Sequence, residues 1–273
     1  MEYRDSTSVR VERSRDTVAR GVSTSLDTNG RLEAVEVAVT GRLHGVSLSL
    51  RPGEVTAICG PNGAGKSTLL ACLAGLTLPQ SGAALLDGAL LAAMPPEARA
   101  RAIGYLPQVA EVAWDVSVQT LAGLGRLPWR TGATEDAAAV DAALTALDLL
   151  PLAYRPVTQL SGGERARALL ARVLAGTPRW LLADEPLASL DLAHQLALLA
   201  HLRACAAAGM GVVLVLHDLA LAMNHADRVV VLDHGTLAAD GPPDLALSEP
   251  VLDQVWGVNA RWLGEPGQRA LQV

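Results

Sequence analysis

The sequence predicts an α/β fold in which helices cover a mainly parallel β-sheet, with an N-terminal antiparallel β subdomain and a helical insertion. Three observations support this prediction. Short β-rich runs alternate with helical segments in both halves of the chain. A glycine-rich loop separates one strand from the helix that follows it. A block with helical spacing and no strand pattern divides the two halves.

The N-terminal region changes character near residue 31. Residues 1–30 are polar and mixed in charge, so we expect a disordered leader rather than a signal peptide. Residues 32–39 and 46–50 then alternate between apolar and polar side chains, which predicts strands of the antiparallel subdomain. The run "GEVTAIC" is a further β-rich segment and ends at a glycine.

The segments after the glycine-rich loop continue the alternation. Residues 67–76, "STLLACLAGL", have the composition of a helix. The pair Asp87–Gly88 marks a hairpin turn between two short strands. A short helix is predicted at 95–102 and a strand at 103–107.

Residues 109–176 lose the strand pattern. Three segments with helical spacing, at 117–125, 135–150 and 163–175, are separated by prolines, which predicts a helical subdomain. Strand and helix patterns then alternate again, as expected for a parallel sheet covered by helices. The strands are predicted at 179–184, 211–217, 228–233 and 236–240, and the helices at 191–207 and 218–225.

The composition fits one folded domain without a membrane span. We expect this domain at residues 31–258, with the helical subdomain at about 109–176 and a C-terminal tail at 259–273. No apolar run reaches the roughly 18 residues that cross a bilayer. The net charge of −6 argues against binding to nucleic acid. The three cysteines show no metal-binding spacing, so we expect thiols in a reducing cytoplasm.

The glycine-rich loop fits the pattern G-x-x-x-x-G-K-[ST] between a strand and a helix, which is the context of a phosphate-binding P-loop. Its glycines let successive backbone N–H groups turn towards an anion, and the following helix adds its positive dipole end. Lys66, the only lysine in the chain, places a compact charge on the β- and γ-phosphates, where a longer, planar arginine fits differently. Ser67 offers a hydroxyl to Mg²⁺. The residues predicted to bind the nucleotide here are Gly60, Pro61, Asn62, Gly63, Ala64, Gly65, Lys66, Ser67 and Thr68.

Two carboxylates at the end of an apolar strand supply the second half of the predicted site. Asp184 ends the run "LLAD" and is placed to hold Mg²⁺, usually through the water shell of the ion. Glu185 follows directly and can polarise the water that attacks the γ-phosphate.

A second phosphate-binding device lies at the start of a later helix. The motif "LSGGE", residues 160–164, places a Ser-Gly-Gly turn at the helix N-terminus, where it could also act as a simple helix cap. One chain does not need two such devices for one γ-phosphate. We therefore predict that Ser161, Gly162 and Gly163 bind a nucleotide that is held by another subunit.

In this order, the three motifs resemble those of the ATP-binding subunits of ABC transporters, and the likeness covers about residues 32–258. "LSGGE" resembles the signature sequence that distinguishes this family from other P-loop NTPases. The resemblance implies the ABC ATPase fold, which is built on a P-loop NTPase core, and hydrolysis of ATP with Mg²⁺. It also implies a homodimer in which two copies pack head to tail around two ATP molecules, closing with ATP and reopening after hydrolysis.

The resemblance also implies roles for three further residues. Gln108 matches the Q-loop glutamine, which senses the γ-phosphate and Mg²⁺ at the border of the helical subdomain. Asp191 ends "SLD", which matches the D-loop of the nucleotide site. His217 matches the switch histidine, whose neutral imidazole can bind the γ-phosphate and orient the water.

Further features of the sequence indicate the kind of transporter. No transmembrane segment is fused to the cassette, so we expect separate permease subunits and a peripheral position on the cytoplasmic face of the inner membrane. Residues 117–129, which contain "GRLP", residues 189–199 and residues 249–263 resemble the subfamily that imports ferric siderophores, haem and vitamin B12. This resemblance implies import of a metal chelate, in which a substrate-binding protein takes part indirectly.

Two other kinds of protein remain as alternatives. One is a soluble ABC ATPase that is not coupled to transport, such as an Fe–S assembly ATPase. The other is the separate ATPase of an exporter. DNA-repair members insert long coiled coils, whereas Lys66 and Ser161 lie only 95 residues apart. Exposed apolar side chains around residues 108–130 would favour a transporter, because a permease helix should bind there.

The chain departs from the family at the expected adenine site. The family usually stacks adenine on an aromatic residue near the first strand, a position that falls near Val37. The chain has no aromatic residue between Tyr3 and Tyr105. We therefore expect adenine to rest on an aliphatic surface, and ATP and GTP to be turned over at comparable rates.

Overall fold

The computed structural model describes residues 30–109 and 115–273, so residues 1–29 of the predicted leader lie outside the described residues. The strands are β1 (Leu32–Val39), β2 (Leu43–Leu50), β3 (Val55–Cys59), β4 (Ser81–Leu86), β5 (Ala89–Leu90), β6 (Ile103–Leu106), β7 (Trp180–Asp184), β8 (Gly211–Val215), β9 (Arg228–Asp233), β10 (Thr236–Gly241), β11 (Arg261–Leu263) and β12 (Ala270–Gln272). The α-helices are α1 (Lys66–Leu73), α2 (Pro96–Ala102), α3 (Val118–Gly123), α4 (Ala133–Ala146), α5 (Gly162–Ala175), α6 (Leu192–Ala207), α7 (Leu219–His225), α8 (Pro243–Ala246) and α9 (Glu249–Trp256).

The larger sheet has six strands in the order β10–β9–β3–β8–β7–β6. All neighbouring pairs are parallel except β9 and β10, which confirms the predicted mainly parallel sheet. Every residue of β3, β7 and β8 is buried, because these central strands are covered on both faces. The carboxyl ends of the parallel strands therefore meet at one edge of the sheet, where loops can gather functional side chains.

The smaller sheet is the predicted antiparallel subdomain, with the order β2–β1–β4–β5. Asp87 and Gly88 form the predicted turn between β4 and β5, and both have positive φ values, 54° and 77°. Positive φ at both central residues is the requirement of the two-residue turn that best matches strand twist. Helix α1 packs between the sheets, and its residues Leu69, Leu70 and Leu73 are fully buried.

The helical subdomain consists of α3, α4 and α5, which pack against one another between β6 and β7 in the chain. Helix α4 ends at Ala146, so the prediction of a helix over 135–150 was too long at its C-terminal end. The cause is Asp148, whose φ of 53° lies in the left-handed region and interrupts the helix. A short 3₁₀ turn over Leu150–Leu152 follows.

The segment assigned as a C-terminal tail contains a hairpin that is joined to the domain. Strands β11 and β12 pair antiparallel. The Asn224 side chain in α7 donates to the Arg269 carbonyl at 2.8 Å and accepts from the Arg269 N–H at 2.7 Å. The Trp262 indole donates to the Leu247 carbonyl at 2.7 Å. The hairpin therefore packs against α7 and the C-terminal end of α8.

Candidate functional site

The glycine-rich loop connects β3 to α1, and two of its glycines have no room for a side chain. Gly60 has φ 146°, and a Cβ atom there would lie 2.1 Å from the Leu232 carbonyl oxygen. Gly65 has φ 98°, and its Cβ would lie 2.6 Å from the Arg42 carbonyl oxygen. Glycine is therefore required at both positions for the loop to pack against its neighbours.

Lys66 is buried at the base of this loop, with 6% of the residue exposed. Its ammonium group donates to the carbonyl oxygens of Gly60 at 2.8 Å and Pro61 at 2.9 Å. An ammonium has three N–H donors, so these two bonds hold it in place and leave one donor for a phosphate oxygen. Burial lowers the pKa of Lys66, and the nearby Cys59, Glu185 and Asp184 oppose that shift.

Asp184 ends β7 and is 3% exposed. Burial raises the pKa of its carboxyl group, whereas a hydrogen bond from the Ser67 hydroxyl and the charge of Lys66 lower it. Its Oδ1 atom is buried and has no hydrogen-bond partner within the described residues. A buried carboxylate oxygen without a partner, beside a serine hydroxyl, is the donor set that a hard cation such as Mg²⁺ prefers.

Glu185 is held at the centre of three predicted catalytic residues. Its Oε1 accepts hydrogen bonds from Gln108 Nε2 at 2.7 Å and from His217 Nε2 at 2.5 Å. The three residues follow β6, β7 and β8, which are adjacent parallel strands, so the carboxyl ends of the sheet bring them together. Glu185 also has a φ of 52°, a left-handed conformation that is rare for a residue with a side chain.

These side chains line one cleft with the phosphate-binding loop. The lining residues are Arg42, Asn62, Gly63, Gly65, Lys66, Ser67, Thr68, Gln108, Glu185 and His217. Arg42 was not predicted from the sequence, where its only signal is its position in the turn between the first two strands. None of these lining residues is Phe, Tyr or Trp. Val37 is 0% exposed, so the expected aliphatic surface for adenine cannot include Val37 itself.

The signature turn does not line this cleft and lies at an exposed helix end. The Ser161 hydroxyl accepts from the Glu164 N–H at 3.3 Å, and the Glu164 carboxylate accepts from the Ser161 N–H at 2.8 Å. This reciprocal arrangement is a capping box for α5. Ser161 and Gly162 are exposed, and a Cβ at Gly162 would meet nothing within 4 Å. The helix-cap interpretation is therefore confirmed, and the turn also faces open space.

Asp191 belongs to the same surface as the signature turn. It caps α6 by accepting the His194 N–H at 2.9 Å, and this backbone hydrogen bond, followed by one from the His194 side chain, lowers the pKa of its carboxyl group. A Cβ at Gly163 would lie 3.2 Å from the Ser189 carbonyl oxygen, so the signature turn and the 189–191 segment are neighbours. Neither segment contributes a residue to the cleft lining.

The "GRLP" stretch has a structural role that the sequence did not indicate. Arg126 is 6% exposed and donates to the Ala175 carbonyl at 3.2 Å and to Asp136 Oδ1 at 2.8 Å, which satisfies the C-terminal end of α5. A Cβ at Gly125 would lie 1.9 Å from the Arg172 carbonyl, so only glycine allows this close approach. Leu127 in the same stretch is 76% exposed.

Exposed apolar side chains do occur in the region predicted to receive a permease. Val109 is 75% exposed and Leu127 is 76% exposed, at the two ends of the described part of that region. None of the helices formed by residues 30–109 and 115–273 combines the length and apolar composition that crossing a membrane requires.

Comparisons of the sequence with known proteins identify the family to which this chain is similar. A family model described as ABC transporter matches residues 43–188, more than half of the 273-residue chain. The chain is 46% identical over 214 residues to the hemin import ATP-binding protein HmuV of Rhodococcus jostii, which covers 78% of this chain and 73% of that protein. It is 44% identical over 233 residues to HmuV of Streptomyces coelicolor, with 84% and 82% covered.

Solved structures show the same fold. One is a metal-chelate-type ABC transporter in an inward-facing conformation, with a TM-score of 0.75 at 25% identity over 89% of this chain and 96% of that one. Another is a dimeric ATP-binding cassette in a post-hydrolysis state with ADP and phosphate, with a TM-score of 0.72 at 25% identity over 78% and 98%.

Proposed function

The chain belongs to the ABC transporter family as an ATP-binding subunit with ATPase activity, and from this premise we propose that it powers an importer of haem or a related metal chelate. The observation that carries the proposal is the convergence of Lys66, Glu185 and His217 on one cleft in a chain 46% identical over 214 residues to a hemin import ATP-binding protein. The geometry of the site supports ATP hydrolysis, and the similar proteins support haem or a related chelate as the transported substrate.

The phosphates of ATP would lie against α1, where the first-turn N–H groups have no helical partner. Lys66 donates to the β- and γ-phosphates from the position fixed by Gly60 and Pro61. Mg²⁺ would be held by the Ser67 hydroxyl and by Asp184, whose Oδ1 has no hydrogen-bond partner among the described residues. The Gln108 side-chain oxygen would be a third ligand, because the amide nitrogen already donates to Glu185. When bound, the ion neutralises charge on the β- and γ-phosphate oxygens.

Hydrolysis requires a water positioned opposite the bond to the leaving ADP. Glu185 accepts a hydrogen bond from this water and takes its proton as the water oxygen bonds to the γ-phosphorus and the bond to the β-phosphate oxygen breaks. His217, which donates to Glu185 in this structure, turns its hydrogen bond towards the γ-phosphate, while the Gln108 amide nitrogen keeps its hydrogen bond to Glu185. The products are ADP and phosphate.

A second copy completes each nucleotide site. The phosphate loop of one subunit faces Ser161, Gly162 and Gly163 of the other, with Asp191 beside them. The exposure of Ser161 and Gly162 and their absence from the cleft of their own chain support this arrangement. The dimer closes when ATP bridges the subunits and reopens after hydrolysis, a closure driven by the differential contacts of the nucleotide.

The remaining partners follow from the transport role. Two permease subunits in the inner membrane would receive the dimer on their cytoplasmic face, with a substrate-binding protein delivering the chelate on the other side. Exposed Val109 and Leu127 support a contact with the permease.

Reconstitution with the permease tests the proposal. The chain is co-purified with its permease, placed in proteoliposomes with ATP inside, and assayed for uptake of haem, a ferric siderophore and cobalamin supplied with the binding protein. We expect uptake of one of these chelates and loss of uptake with Glu185→Gln. Movement of substrate in the opposite direction would indicate an exporter. ATP hydrolysis that no permease stimulates would indicate an uncoupled ATPase.

A further inference from the structure

The nucleotide cleft has residues for phosphate and for catalysis, but it lacks a flat aromatic surface for the base. None of its lining residues is Phe, Tyr or Trp, and the one imidazole among them, that of His217, is bonded to Glu185 at 2.5 Å. Val37, in the strand that precedes the cleft, is 0% exposed and packs into the core between the two sheets. A purine ring has two large faces, and a flat side chain stacked on one of them adds to the binding energy of the nucleotide.

Arg42 is fixed at the rim of this cleft. It lies in the turn between β1 and β2, where its N–H donates to the Val39 carbonyl at 2.8 Å. Its carbonyl oxygen lies 2.6 Å from the Cβ position of Gly65, so the backbone of Arg42 packs directly on the phosphate loop. The residue is exposed and lines the cleft with Lys66 and Thr68. Across the described ranges, no hydrogen bond or ion pair involves its guanidinium group.

We propose that Arg42 binds the nucleobase, with the plane of its guanidinium group stacked on the face of the purine. The proposal rests on the ATPase function proposed above. A guanidinium is planar and weakly hydrated, and it stacks on aromatic faces with an added cation–π attraction. Phosphate binding is already provided by Lys66 and the loop N–H groups, so the base is the part of the nucleotide that still lacks a partner.

The second flat side chain near this rim is His44, and its position argues against the same role. Its ring lies against the turn after β9, where a Cβ at Gly235 would be 2.8 Å from His44 Cδ2. The backbone N–H of His44 donates to the Gly235 carbonyl at 2.8 Å. His44 is exposed but is not among the residues that line the cleft.

Stacking on the face of a purine does not distinguish adenine from guanine, because the two bases differ in their hydrogen-bonding edges and present similar faces. Arg42 should therefore contribute equally to the binding of ATP and GTP and should contribute nothing to a triphosphate chain without a base. This pattern separates a base contact from a phosphate contact, since a guanidinium that binds phosphate would strengthen the binding of ATP, GTP and the triphosphate chain alike.

Calorimetric titration of the full-length chain with ATP, GTP and inorganic tripolyphosphate, each with Mg²⁺, tests the proposal. With Arg42→Ala we expect about 3- to 30-fold weaker binding of ATP and GTP. Binding of tripolyphosphate should be unchanged. With Arg42→Trp, which removes the charge and keeps a flat surface, ATP affinity should be retained. Arg51→Ala is the matched control, because Arg51 is an exposed arginine just beyond the far end of β2 and lines a different cleft.

Three results would overturn the assignment. Equal loss of ATP and tripolyphosphate binding in Arg42→Ala would make Arg42 a phosphate ligand. Unchanged ATP binding in Arg42→Ala would exclude any contact. Loss of ATP binding in His44→Ala instead would assign the base to the imidazole. Wild-type protein that binds neither ATP nor tripolyphosphate would refute the proposed function itself.

Discussion

Replacement of Glu185 by glutamine separates ATP binding from hydrolysis, because the side chains have the same shape and differ in charge and basicity. The Glu185 oxygen accepts bonds of 2.7 Å from Gln108 and 2.5 Å from His217, and an amide oxygen can accept both. Glutamine also needs the same left-handed backbone, since the φ of 52° is set by the turn after β7. The cleft should therefore keep its geometry and its affinity for ATP.

The amide cannot take a proton from the attacking water. A general base contributes about 10²- to 10⁴-fold to a rate, so kcat should fall by this factor, equivalent to about 3–5 kcal/mol in the barrier. Because ATP still bridges two subunits but is not hydrolysed, the variant should accumulate as a dimer in the presence of ATP.

Two measurements check this prediction: phosphate release under saturating Mg²⁺-ATP, and light scattering with and without ATP. Glu249→Gln is the control, because Glu249 is an exposed carboxylate in α9, away from the cleft. A Glu185→Gln protein that hydrolyses ATP at a near-normal rate, or that stays monomeric with ATP, would show that Glu185 is not the base.

Four further predictions follow from the cleft and the signature turn. Lys66→Ala should weaken ATP binding by about 10- to 150-fold in calorimetry, because a buried charge-assisted donor is lost; unchanged affinity would contradict its role. Because burial raises the pKa of Asp184, protonation stabilises the fold below the ordinary carboxyl pKa, and this stabilisation is lost as pH rises through the raised value. Asp184→Asn should therefore raise the Tm of the protein without nucleotide at neutral pH by about 2–4 °C while abolishing Mg²⁺-dependent hydrolysis, and a lower Tm would show that Ser67 and Lys66 outweigh the cost of burying the carboxylate. Ser161→Ala should lower the free energy of unfolding by about 1 kcal/mol in urea, since the cap to Glu164 is lost, and should also abolish the ATP-dependent dimer; a dimer that still forms would leave Ser161 as a cap alone. Steady-state kinetics should give comparable turnover of ATP and GTP, and a strong preference for ATP would indicate specific contacts with the adenine edge.

The sequence predicted those features that depend on a few neighbouring residues. The strand–loop–helix unit around Lys66 is read from glycine spacing within one short segment, and Asp87–Gly88 identifies its turn because both residues tolerate positive φ. Glu185 was predicted from its place at the end of an apolar strand, and Gln108 and His217 were predicted separately by resemblance. Their meeting on one carboxylate oxygen follows from parallel strands whose ends share one edge of the sheet.

Features that depend on distant contacts could not be predicted in this way. Gly125 is required because it approaches the Arg172 carbonyl closely. Arg126 is buried because it donates a hydrogen bond to a carbonyl at the C-terminal end of α5. Neither contact can be predicted from the neighbouring sequence. Arg42 lines the cleft because its turn packs on Gly65, which only the assembled sheets bring about. The hairpin at the C-terminus depends in the same manner on Asn224.

The reciprocal cap between Ser161 and Glu164 also bears on how fast and how tightly two subunits can associate. In the proposed dimer, this helix end is already held by its two capping hydrogen bonds, so docking of a partner there would cost little chain entropy. If ATP bridges two subunits as proposed, the concentration of ATP would set the proportion of paired subunits.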